Sequence, residues 1–292
     1  MKGGVFLTKK RKAVSIAVFA AIIIALIIGI AATARPDAVK EPINEVMKDA
    51  VLHETGRINL FGELQVNPAL ISAYIVSGIL IAFALVVRIF VIPKFTLVPG
   101  RFQYLLEKGV GLFTGLAKQN SPQKTQFIGG YIFTAGAYIF FGTIFELFGF
   151  QAVTVSGHSI ALPAPLADIN GAIAMGFFSY GVILFGGLIN NGIKGMFHAL
   201  KDFTLPVSMS FRLFGALLSG ALVTELVYYY SLTSYVLPVI VGVLFTLLHA
   251  LIQAYVLTML VSIFYGESSE KKEKAEKQKK AKIKKEKRRK VS

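Results

Sequence analysis

Runs of about 20 apolar residues, nearly free of charge, limit this chain more than any other feature of its sequence. Six stand out, at about 14–34, 69–93, 127–150, 168–193, 203–231 and 236–265. A run of this length is read as a helix crossing a bilayer. The chain is therefore expected to be all-α, a polytopic membrane protein with about six transmembrane helices. At 1.5 Å per residue the last two would be about 40–45 Å long, against a hydrocarbon core of about 30 Å. They are expected to tilt and to form a hairpin. Charged residues make up only 16% of the chain, where soluble domains average about 25%, so a soluble fold is excluded. The absence of cysteine rules out disulfides, thiolate metal sites and a cysteine nucleophile.

The formal net charge of +15 is local. Residues 271–290 hold thirteen Lys or Arg against three Glu, a low-complexity composition that builds no core. Next to a membrane span, such a cluster marks the cytoplasmic side or meets anionic lipid rather than nucleic acid. The short connections agree on an orientation. Lys9, Lys10, Arg11 and Lys12 precede the first run, residues 94–126 are basic, and Lys194 and Lys201 follow the fourth run. Loops near 151–167 and 231–236 lack Lys and Arg. The N-terminus, these basic connections and the C-terminal tail are thus expected inside, in a cell inner (plasma) membrane.

Four regions follow: 1–34, an N-terminal transmembrane helix or signal peptide; 35–68, an external segment; 69–266, the main membrane domain; and 267–292, the basic cytoplasmic tail. Both readings of 1–34 fit its basic start and its Ala32-Thr33-Ala34 end. Residues 101–119, RFQYLLEKGVGLFTGLAKQ, have apolar positions at helical spacing between charges. They read as an amphipathic helix on the inner surface, entered after Pro93 and Pro99.

Polar residues at membrane depth carry the functional signal. Arg212 has no acidic residue within a helical turn, and an arginine at mid-helix costs about 2.5–3.5 kcal/mol on insertion scales. It either snorkels to the interface or faces an aqueous cavity or a partner's carboxylate. Glu225 lies 13 residues further on, about 20 Å along the axis, too far to pair with it. His249 and Gln253 are four apart and share one face of the last helix. They suit interhelical hydrogen bonds, or an ion path together with Arg212 and Glu225. Glu146, Asp168 and Asn170 gather toward the outer ends of the third and fourth runs, where cations would enter. Asp168 equally suits a helix cap.

SMSFRLFGALLSGALV followed by LHALIQAYVLTMLVSIFY resembles the two C-terminal helices of subunit a of F-type ATP synthase. LVPGRFQYLLE and PLADINGAIAM resemble two further blocks of that family, in the same order. The resemblance covers about residues 69–265. It implies a stator beside a ring of c subunits, with two offset half-channels for H+ or Na+, b-type peripheral stalk subunits as neighbours and the F1 sector as an indirect partner. By that likeness Arg212 matches the family's essential arginine and Gln253 the glutamine facing it. Departures accompany it. Ala216 stands where the family usually has Asn. Ala221 and Thr246 stand where it usually has a Glu or His pair. Glu225 and His249 occur about one turn from those positions, which suggests separate stations on one aqueous path.

A secondary transporter that holds an anion on Arg212 would show internal repeats and broken spans in matching halves, and no convincing repeat is visible. A non-conducting anchor would tolerate replacement of Arg212. No G-x-x-x-x-G-K-[ST] loop occurs, so any ATP chemistry is expected on partners, and no cofactor or metal is called for.

Overall fold

Asn67-Pro68 starts a helix for two local reasons. The Asn67 side chain accepts the Ala69 N–H at 2.9 Å, and proline fits the first helical position because its missing N–H has no intrahelical partner there. In the computed structural model this helix, α1, runs Pro68–Val86. It continues through a π turn, Val87–Val91, and a short 3-10 turn, Ile92–Lys94. The structure describes residues 58–60, 64–121, 125–153, 159–229 and 237–269, with single positions 24, 42 and 44. The expected first span at 14–34, most of the external segment and the tail beyond 269 lie outside the described residues.

Five more long helices follow among the described residues: α2 Arg101–Asn120, α3 Thr125–Phe145, α4 Ile169–Leu200, α5 Thr204–Tyr229 and α6 Leu237–Ser269. Two small antiparallel hairpins accompany them. One pairs β1 Ile58–Leu60 with β2 Leu64–Val66, and the other pairs β3 Gln151–Val153 with β4 Ser159–Ala161. Four stretches are long and apolar enough to cross a membrane: Pro68–Lys94, Gln126–Phe148, Ile169–Leu200 and Val239–Ser269. The protein is an all-α polytopic membrane protein. From the second run onward, the expected boundaries fall within a few residues of the helices, except that α4 and α6 run longer.

The extra length of α4 has a cause. Its backbone breaks at Gly192, with φ 64° and ψ −156°, a conformation open essentially to glycine. Beyond the break the chain turns back along its own helix. Gly195 packs on Gly187, and the Tyr180 hydroxyl donates to the Ala199 carbonyl at 3.2 Å. The fourth expected span, 168–193, therefore ends at a real reversal.

Packing of α3, α4, α5 and α6 forms the core, with Ile132, Ile183, Leu213 and Val261 almost fully buried. Without a strong hydrophobic drive between helices in lipid, close approach at small residues and interhelical hydrogen bonds matter most. Both occur here. Tyr131 and Ser179 join α3 to α4 at 2.8 Å. A Cβ at Gly176 of α4 would meet the Ser210 hydroxyl and the Pro206 carbonyl of α5.

The amphipathic helix α2 makes contacts within the protein along one side. It runs antiparallel along α3, with Phe113 seated over Gly136 and Ala117 against Gly129. Its end is tied to α6, where Asn120 donates to the Ser262 hydroxyl at 3.2 Å and Ser262 donates to the Leu116 carbonyl at 3.1 Å. Phe113 and Ala117 thus serve protein contacts, while Phe102, Leu105 and Leu112 stay exposed.

Two substitutions on α4 test the close approach. Gly176→Ala should destabilise the chain by about 1–3 kcal/mol through overpacking. Gly181→Ala, with open space around it, should instead stabilise by about 0.5–1 kcal/mol, the helix-interior cost of glycine. Thermal unfolding in detergent distinguishes them, and equal effects would contradict this packing.

Candidate functional site

Arg212 lies eight residues into α5, about 12 Å from its start. Proline at 206 sits in the first turn, where it is tolerated, so the helix runs unbroken past the arginine. Leu213 and Leu217 turn into the core. That leaves Ser208, Arg212, Gly215 and Ser219 on an exposed stripe of the same helix, as the 3.6-residue repeat requires. No carboxylate pairs with Arg212 among the described residues.

The opposing helix grips α5 from behind. Gln253, 6% exposed, donates its side-chain amide to the Arg212 backbone carbonyl at 3.2 Å. It thus holds the main chain and leaves the guanidinium clear. One turn earlier on α6, His249 is half-buried beside Gly220 of α5. A Cβ at Gly220 would lie 3.7 Å from the imidazole Nδ1, an ordinary van der Waals contact. Phe245 flanks it, with ring centroids 5.7 Å apart. The shared face expected for His249 and Gln253 is therefore the face toward α5.

Glu225 is carried by α5 five residues beyond Gly220, about 7.5 Å along the axis. Its side chain lies outside the described residues. The backbone places it off the level of His249.

A second group gathers where α1 and α4 begin. Asp168 occupies the position before α4 but makes no side-chain cap bond, forgoing a contact generally worth about 1 kcal/mol. Its carboxylate accepts instead from the Asn67 amide at 3.1 Å. Asn67, Asp168, Asn170 and Tyr138 contribute to a cavity of about 640 Å³. Glu146 sits in the turn Glu146–Phe148 after α3. Its carboxyl accepts from the Ala164 backbone N–H, and it does not line this cavity. Of the three outer candidates, the structure thus unites Asp168 with Asn170 and sets Glu146 apart.

Asn67 was not expected at the site. In sequence it reads as an ordinary helix cap before proline and an apolar run. Its second partner is 101 residues away. No group of three His, Asp or Glu able to hold a metal occurs among the described residues.

The comparisons agree with the sequence blocks. A family model described as ATP synthase A chain matches residues 70–266. The chain is similar to "ATP synthase subunit a" of Histophilus somni (strain 2336), 26% identical over 197 residues, covering 57% of this chain and 73% of that protein. It is also similar to "ATP synthase subunit a" of Cereibacter sphaeroides (strain ATCC 17025 / ATH 2.4.3), 24% identical over 180 residues, covering 58% of this chain and 69% of that protein.

The grip of Gln253 on α5 is a single interhelical hydrogen bond. Gln253→Leu, close in volume, should cost only about 0.6 kcal/mol of stability, read from thermal unfolding in detergent. A loss of several kcal/mol would mean that Gln253 supports the fold rather than the arginine.

Proposed function

The chain belongs to the ATP synthase A chain family, and on that premise we propose that it is the stator subunit of an F0 motor. It provides two half-channels that carry protons or Na+ to and from the carboxylates of a c ring, and it couples that flow to rotation. The observation that carries this reading is Arg212, its guanidinium on an exposed stripe of α5 while Gln253 holds its backbone. An uncompensated cation at that depth costs about 2.5–3.5 kcal/mol or more, and a passing carboxylate offsets that cost. The small residues around it, Ser208, Gly215 and Ser219, let a partner helix come close.

Arg212 attracts each incoming ring carboxylate and favours its ionised form. The same fixed charge repels cations and blocks a direct leak between the half-channels. With the leak closed, a membrane potential supplies about 2.3 kcal/mol per charge per 100 mV for rotation. His249 and Glu225 act as stations of one aqueous path. Asp168 and Asn170 face its entrance from the outer side, with Glu146 at a separate position on that side.

Basic connections orient the chain with its C-terminus cytoplasmic in a cell inner membrane. The partners are the c ring, b-type peripheral stalk subunits and, indirectly, the F1 sector. ATP chemistry resides on those partners. The basic tail at 267–292 is suited to anionic lipid headgroups.

The lack of native cysteine makes cross-linking direct. Gly215→Cys and Ser219→Cys should each form a disulfide with a cysteine placed beside the ring carboxylate, whereas Ile79→Cys, exposed on α1, should not. Equal yields from all three would contradict the proposed interface. In the assembled complex, Glu225→Ala should lower ATP-driven ion uptake into vesicles by at least about tenfold. Unchanged uptake would remove Glu225 from the path.

A further inference from the structure

We propose that Asn67 is a positioning residue for the outer ion entrance, holding the Asp168 carboxylate at its mouth. The inference rests on the half-channel reading above and adds to it a residue that is remote in sequence. Three observations support it. Asp168 stands where a helix-capping carboxylate would stand, yet its side chain makes no cap bond to α4. The same carboxylate accepts from Asn67 Nδ2 at 3.1 Å. Both residues line one cavity of about 640 Å³ with Asn170 and Tyr138.

Asn67 performs two tasks with one amide. Its oxygen accepts from the Ala69 N–H and caps α1, which fixes the side chain's orientation. Its nitrogen is then aimed at Asp168. An amide is the group that suits this place, because it accepts on one side and donates on the other. A carboxylate at 67 would cap the helix equally well but would repel Asp168. Without the amide donor, the Asp168 carboxylate is free to fold back onto the first-turn N–H groups of α4, which attract it. It would then leave the mouth, and ion capture would weaken.

Serine separates the two tasks. It caps a helix about as well as asparagine but is too short to reach Asp168. The experiment uses the complete complex in sealed vesicles, matched for the amount assembled. ATP synthesis is measured against ion activity on the supply side for wild type, Asn67→Ser, Asp168→Asn and the double variant. The expected result for Asn67→Ser is a rise of about threefold or more in half-saturating ion activity, the scale of one lost hydrogen bond, exceeding any change in maximal rate. That rise should vanish when Asp168 is already Asn. An unchanged half-saturation, or the same rise in both backgrounds, would overturn the proposal and leave Asn67 as a helix cap alone. If Asp168→Asn itself moves nothing, the entrance does not use Asp168 and the proposal falls, while the stator reading stands if the Gly215→Cys cross-link to the ring forms. If that cross-link also fails, both fall together.

Discussion

An arginine on an exposed stripe of α5, with no carboxylate beside it among the described residues, is the constraint around which the rest of the molecule is arranged. Burying it unpaired would be costly, and in the proposed stator role pairing it permanently would disable it for a moving partner. The fold resolves this by separating backbone from side chain. Gln253 satisfies a bond to the Arg212 carbonyl, the leucines at 213 and 217 anchor α5 in the core, and the guanidinium stays on the exposed stripe. In the proposed stator role, the small residues at the α4–α5 contact then matter for function as well as stability. Gly176 brings α4 against Pro206 and Ser210, which fixes the rotation of α5 and hence the face on which Arg212 emerges.

The two ends of the bundle are tied differently. At the Asp168 end, the start of α1 joins the start of α4 through Asn67, and the turn after α3 joins the segment before α4 through Glu146 and Ala164. At the opposite end, α4 and α6 meet where the Asn191 amide donates to the Ser268 carbonyl at 2.8 Å. There α2 meets α6 through Asn120 and Ser262. Each tie is a hydrogen bond between distant segments, and such bonds in membranes contribute modestly one by one. Collectively they hold the helix starts that frame the cavity near Asp168 and the reversal at Gly192.

Much of this was legible in sequence because membrane helices are written locally. Length and apolarity mark α1, α3 and α5 within a few residues and the starts of α4 and α6, and spacing alone puts His249 and Gln253 on one face. Which face that was, and that Gln253 meets the backbone of Arg212 rather than its charge, needed the packing. The reversal at Gly192 carried a signal, the turn-favouring Asn190-Asn191-Gly192, that the apolar run around it obscured. Asn67 carried none beyond its cap, since nothing local in a sequence reports a partner 101 residues away. The amphipathic pattern of α2 was read correctly as a helix, but periodicity does not say whether an apolar face meets lipid or α3. Asp168 is the instructive middle case. Its position suggested both a cap and an ion entrance, and the structure shows the cap bond unmade.

The account depends on Arg212 being the charge that couples ion flow to rotation, and ATP-driven cation pumping by the reconstituted complex tests that most directly. With Arg212→Ala and assembly intact, the account predicts loss of pumping. Full pumping by that variant would contradict it and would reduce the chain to a membrane anchor.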